Sequence, residues 1–207
     1  MQFFLKLVGS LTAIFVISAH ADALPDLLNN IHTMQASFVQ TVYDSKTNKP
    51  IQESYGTMAM KRPGLFRWDV KKPNPQLIIA NQSRLWIYDP DLEQVVVRSL
   101  AKAAGDTPAL LLSHVSGVLE KNYTVQADAK NTQQLQWFTL TPRSADNMFA
   151  SIQLGFTNNQ ITEMRLRDHL GHRTRIQFKN AKFNSSLSNN LFVFKTPRGV
   201  DVINEAR

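Results

Sequence analysis

The chain has 207 residues, no cysteine, and 23 Lys and Arg against 16 Asp and Glu, a formal charge of +7. Without thiols there can be no disulfide staple, thiolate metal site, thioether-bound haem or cysteine nucleophile. The basic balance favours anionic partners, yet no basic stripe interleaved with exposed aromatics marks a nucleic-acid surface.

Residues 1–21 read as a cleaved secretory signal. Lys6 supplies a thin positive start, Leu7 to Ile17 is a short apolar run, and Ala19-His20-Ala21 is a small-residue cleavage site. The run falls short of the roughly 20 residues a spanning helix needs. Cleavage leaves 22–207, enough for a single domain with a substantial core, and no repeat, low-complexity stretch or linker divides it. Asp22 is not a cysteine, so a lipid anchor at that start is excluded. The expected product is soluble, in a periplasm or outside the cell.

From Asp22 the chain opens as an amphipathic helix, with Leu24, Leu27, Leu28, Ile31 and Met34 at helical spacing and Pro25 in the first turn. The period changes at Ala36, and Phe38 to Tyr43 is rich in β-formers. A polar turn over 44–50 follows. Strands are then expected over 51–62, 65–71, 76–80, 84–89, 93–100, 122–127, 134–141, 150–157, 160–168, 173–183 and 191–196. Short turns such as Asn81-Gln82-Ser83 and Asn158-Asn159 make most neighbours antiparallel hairpins.

Met58, Met60 and Arg62 share one face with Gly56, because successive strand residues point to opposite sides. Phe66, Trp68 and Val70 share a face of the next strand. A guanidinium at the lip of such an apolar surface is costly unless something accepts its hydrogen bonds. The aromatic and methionine residues suit either a plain core or the lining of a container for an apolar ligand. A lining would draw on Met58, Met60, Phe66 and Trp68, joined by Leu77, Ile79 and Trp86. The strands at 76–80 and 84–89 are apolar on both sides, so their inward parity stays open.

One block interrupts the strands. Thr107 can cap a helix, Pro108 suits its first position and Gly117 its end. Ala109 to Val115 between them is apolar over more than half its girth. This helix must be buried on several sides or cover something, which adds Leu110 and Leu111 to the lining.

Signatures of catalysis are missing: no Gly-x-Ser-x-Gly elbow, His-Glu-x-x-His, phosphate loop or dinucleotide fingerprint. Asp89-x-Asp91-x-Glu93 lacks the central glycine and distal glutamate of a calcium loop. Asp168-His169-Leu170-Gly171-His172 lies between two strands and reads as a polar hairpin turn before a metal site. No metal, cofactor or enzymatic activity is expected. Arg165 and Arg167 share one strand face, as do Arg173, Arg175 and Lys179 on the next. They form either a solvated outer face or a docking surface for an acidic partner or anionic headgroups.

Lys61 to Trp68, Leu85 to Pro90 followed by Glu93-Gln94-Val95, Asp106 to Leu112, and Phe192 to Val200 together resemble the LolA family of periplasmic lipoprotein carriers. The likeness runs in order from about residue 22 to residue 203. It implies an incomplete antiparallel β-barrel of about eleven strands, mainly β with helices, whose helical lid covers an apolar cavity. It also implies a periplasmic, Gram-negative, monomeric carrier. Such a carrier accepts triacylated lipoproteins from an inner-membrane ABC transporter and passes them to the outer-membrane receptor LolB. Arg62 matches the family arginine that bonds the lid and keeps the empty carrier closed, with the lid expected at 108–116. LolB itself shares the architecture but would need a cysteine. The rival readings are a carrier of free phospholipid or another small lipid, a lipoprotein-binding envelope-stress sensor, and a hydrolase with an unrecognised site.

Overall fold

The computed structural model describes residues 23–81, 83–100, 108–113 and 118–206. The expected signal at 1–21, the expected helix cap Thr107 and end Gly117, and His114 to Ser116 of the expected lid lie outside them.

Helix α1 spans Ala23–Asn29 and buries Leu24, Leu27 and Leu28. It stops earlier than the apolar spacing predicts. Asn184 is the reason: its side-chain oxygen accepts from the backbone N–H of His32 at 2.8 Å, and its amide donates to the Asn30 carbonyl at 2.8 Å. That clamp ends the helix and starts a strand at Thr33. Ile31 and Met34 are still buried, so the apolar face is as expected although the conformation is not.

Among the described residues twelve strands follow: β1 (Thr33–Tyr43), β2 (Pro50–Lys61), β3 (Leu65–Lys72), β4 (Gln76–Ala80), β5 (Arg84–Asp89), β6 (Gln94–Ser99), β7 (Tyr123–Ala127), β8 (Leu135–Pro142), β9 (Phe149–Thr157), β10 (Gln160–Asp168), β11 (Arg173–Phe183) and β12 (Asp201–Asn204). They form one sheet in the order β12-β6-β5-β4-β3-β2-β1-β11-β10-β9-β8-β7. Its edges, β12 and β7, do not pair with each other, so the barrel is open. A lid segment, Pro108–Ser113, is a 3-10 helix, and a short helix α2 (Val118–Asn122) leads into β7.

All neighbours are antiparallel except β12, which runs parallel to β6 with Val202 opposite Val95. The strand expected at 191–196 is absent. Asn189–Phe192 is a 3-10 turn, and Phe194 beyond it packs against Trp86 and Tyr88 on the outer side of the sheet. Phe192 and Phe194 still alternate with exposed Val193, which is the period of a strand without a ladder. Phe192 packs on Ala59 and Leu187, and Phe194 stacks on Trp86 at 6.2 Å.

The sheet wraps one main core. Inner-face residues of β1 to β5 and β7 to β11 join α1 and the lid in a single apolar cluster. Gly56 shows how tightly its wall is built. It pairs with Phe38 on β1 and Val70 on β3. A Cβ at Gly56 would lie 2.5 Å from the Phe38 ring and 2.3 Å from the Asp69 carbonyl. Gly56→Ala therefore forces the strands apart and should destabilise the fold by about 1–3 kcal/mol, the usual range for overpacking. Urea denaturation measures it, and an unchanged midpoint would contradict this packing.

Candidate functional site

The inner face is apolar and aromatic. Phe38 stacks on Trp68 with centroids 3.7 Å apart and planes 16° from parallel, and Phe66 continues the stack at 6.2 Å. Met58 and Met60 flank these rings. The lid residues Ala109, Leu110, Leu111 and Leu112 are buried in the same cluster. Six of the expected lining residues thus come together: Met58, Met60, Phe66, Trp68, Leu110 and Leu111.

Leu77, Ile79 and Trp86 do not join them. Phe66 pairs with Ala80 and Trp68 with Ile78, so Ile78 and Ala80 face inward and Leu77 and Ile79 turn outward. On β5, Leu85 is in the core, whereas Trp86 lies on the other face under Phe194. The strands are apolar on both sides because both sides are covered, inside by the core and outside by the C-terminal segment. Sequence reasoning missed Phe38, Ile78 and Leu85 as inner-face residues. Phe38 had a signal in the glycine opposite it.

The lid is fixed where β2 ends. The Nε–H of Arg62 donates to the Leu112 carbonyl at 3.1 Å, and the Gly64 N–H donates to the Ser113 carbonyl at 2.9 Å. Gly64 has φ of 69°, a left-handed turn position that suits glycine. Buried Ser113 closes the lid's last turn by donating its hydroxyl to the Leu110 carbonyl at 2.8 Å. Arg62 is only partly satisfied. Burial lowers its pKa, and its Nη2, shielded from solvent, has no acceptor among the described residues. A buried donor without a partner costs about 1–3 kcal/mol, so closing the lid over this cation carries a penalty.

The outer face of β9 to β11 is charged. Arg165 pairs with Arg175 and Arg167 with Arg173 across the strands, opposite inward Met164, Leu166 and Ile176. Glu163, 8% exposed, accepts from Arg165 at 2.5 Å and from Arg175 at 2.6 Å. Burial alone would raise the pKa of Glu163, but the hydrogen bonds from Arg175 and Arg165 outweigh it and hold the carboxyl below its ordinary range. In the β10–β11 turn, Asp168 accepts from the N–H groups of Leu170 and His172, both at 2.9 Å, which is hairpin chemistry. Among the described residues no three metal-ligating side chains converge, and no helix is long and apolar enough to cross a membrane.

An open sheet wrapped around one apolar core and shut by its own lid defines a lidded open barrel. Solved structures share this fold: an uncharacterized conserved protein from Thermus thermophilus (TM-score 0.55, 14% identity, 88% of this chain and 99% of that one) and LolA superfamily protein NE2245 from Nitrosomonas europaea (TM-score 0.50, 12% identity, 86% and 99%). Residues 29–195 match the family described as "Outer membrane lipoprotein carrier protein LolA", and the chain belongs to that family. Among its relatives, the outer-membrane lipoprotein carrier proteins of Hahella chejuensis and Dechloromonas aromatica are 41% and 40% identical. The matches cover 91% and 93% of this chain, and 90% and 93% of theirs.

Glu163 makes the outer face testable by pH. Its lowered folded pKa contributes stability that is present above the unfolded value, near 4.5, and is lost as pH falls through the folded value. Glu163→Gln should cost about 1–3 kcal/mol at pH 7, by leaving two facing guanidiniums without their anion. The difference from the parent should shrink as the pH falls through the lowered folded value. Urea midpoints at pH 7 and pH 3 measure both effects, and equal midpoints at pH 7 would contradict the pairing.

Proposed function

We propose that this chain is a periplasmic carrier of triacylated lipoproteins. It takes them from an inner-membrane ABC transporter, shields their acyl chains against the inner sheet face, and hands them to the outer-membrane receptor LolB. Residues 1–21 are its cleaved signal, and 22–207 act as a single monomeric carrier domain. No catalytic step or cofactor is involved. Membership of the carrier family supports the cargo. The observation that carries the mechanism is the lid, held over an apolar face by a cation bonded to a backbone carbonyl.

The physics of transfer demands such a device. Acyl chains gain roughly 0.8 kcal/mol per buried methylene, so three of them do not cross water unescorted. A carrier that held them at full strength would not release them. Met58, Met60, Phe66 and Trp68 form the surface the chains meet, and Leu110 and Leu111 are the groups they displace. Entry of the lipid breaks the Arg62 bond to Leu112. The loaded state therefore lacks a charge-assisted interaction that release restores. Arg62 thus loosens the carrier's grip on its cargo.

The decisive experiment adds the purified protein to inner-membrane spheroplasts that are making a newly acylated lipoprotein. Release of triacylated polypeptide into the soluble fraction is the expected result. Recovery of free phospholipid alone would replace this reading with that of a small-lipid carrier. Arg62→Leu should load normally and deliver about tenfold less well to LolB, the scale of one lost charge-assisted hydrogen bond. Delivery by the variant at the parent rate would remove the latch.

A further inference from the structure

On the side of the sheet away from the lid lies a groove of about 580 Å³. Its floor is β9 to β11, with Ser151, Gln153 and the four arginines 165, 167, 173 and 175. Its wall is the β1–β2 hairpin, with Tyr43 and Asn48. Among the described residues, Glu163 is the carboxylate that pairs with any of these four guanidiniums. Glu163 bonds Arg165 and Arg175, which offsets one of the two charges of that cross-strand pair. The Arg167–Arg173 pair has no ion-pair partner among the described residues, although Arg173 donates to the Asn48 side chain. Like charges facing each other across strands destabilise a sheet. Among the described residues the second pair faces the groove without a carboxylate, and that leaves an excess of positive charge there.

The groove is also organised. The guanidinium of Arg165 lies over the Trp137 ring at 4.1 Å. That ring occupies the space where a Cβ at Gly155 would come within 2.6 Å. Arg175 is bonded by Glu163, and Tyr43 lines the groove beside it. Guanidiniums fixed in this way present their forks without further loss of side-chain entropy, and such forks match carboxylates bidentately. A bilayer is the poorer fit. Surfaces that adsorb to membranes set projecting basic chains beside apolar anchors. Here no exposed aliphatic side chain lines the groove: its one aliphatic lining residue, Leu166, is buried in the core.

We propose that this groove docks an acidic segment of a protein partner, with Asp or Glu carboxylates received by Arg167 and Arg173 and steadied by Arg165 and Arg175. The sheet stands between groove and core, since Met164, Leu166 and Ile176 point one way and the arginines the other. Docking therefore does not compete with lid opening or with an apolar occupant, and partner and cargo can be held together. The inference goes beyond the carrier reading, and its test uses no cargo.

Fluorescence anisotropy with a labelled ten-residue peptide of alternating Asp and Glu, added to the purified protein, is the measurement. The peptide should bind, more weakly at higher salt. Arg167→Ser with Arg173→Ser should weaken it by about tenfold or more, on the scale of broken charge pairs at an interface. Ser151→Glu, which puts a carboxylate into the groove and removes no arginine, should do the same. The charge-matched control Arg84→Ser with Lys130→Ser, at exposed positions outside the groove, should bind like the parent. Circular dichroism checks that each variant is folded. Equal losses in the groove and control variants would mean diffuse attraction and overturn the proposal, as would failure of the parent to bind. Two further results would also overturn it. One is displacement of the peptide by equimolar inorganic phosphate, which marks a free-anion site. The other is groove-dependent binding to phosphatidylglycerol vesicles without peptide binding, which marks a membrane surface.

Discussion

The guanidinium of Arg62 meets the Leu112 carbonyl at 3.1 Å, and through that bond the end of β2 holds the lid against the sheet. The lid's apolar contribution is modest. Burying three leucines contributes about 6 kcal/mol at roughly 2 kcal/mol each. About ten methylenes of an acyl chain offer some 8 kcal/mol on the same inner face. On the proposed function, the two occupants would be close enough in free energy for a single charge-assisted hydrogen bond to shift the balance. A lid built from leucine alone would be only a plug. The cation that holds this lid keeps one donor unmatched among the described residues, so the closed arrangement combines a bond with a penalty.

The sheet solves a second covering problem on its other side. β4, β5 and β6 carry apolar residues outward as well as inward, and an open barrel cannot hide both faces in one core. The C-terminal segment covers the outer side. Lys61 donates to the Asn189 side chain at 2.8 Å, Arg67 donates to the Leu191 carbonyl at 3.4 Å, and Phe194 lies against Trp86 and Tyr88. The chain then joins the β6 edge as β12, through Asp201 N–H to Glu93 and Glu205 N–H to Val97. An edge strand that would otherwise offer unpaired backbone groups is thereby taken up by the chain itself.

How far the sequence discloses all this depends on whether a residue's partner is local. Alternation set the inner face of β2 and β3 and the outer face of β10 and β11, because there one side is apolar and the other polar. It failed at β4 and β5, where the cover for the outer side comes from more than a hundred residues further on. Leu77, Ile79 and Trp86 were therefore drawn into the lining by composition alone. The end of α1 was equally out of reach, since the group that stops it is Asn184. The strand expected at 191–196 had the right period and lacked a neighbour to pair with. The place of Arg62 at the lip of an apolar face followed from the alternation of β2, whereas its bond to the lid was implied by the family resemblance alone, and the carbonyl it finds could not be read from spacing.

One device recurs on both faces and connects the interior to the charged exterior. At Gly56 a missing side chain lets the Phe38 ring lie against the strand, where it stacks on Trp68 inside the barrel. At Gly155 the same vacancy admits the Trp137 ring outside, where it becomes the bed of Arg165. An aromatic ring laid over a cross-strand glycine recovers the packing the glycine gives up, and it keeps the sheet thin at that point. The apolar face and the arginine face can therefore sit back to back across a single layer of backbone. In so small a domain, this arrangement lets an oily surface and a concentrated positive field coexist without either desolvating the other.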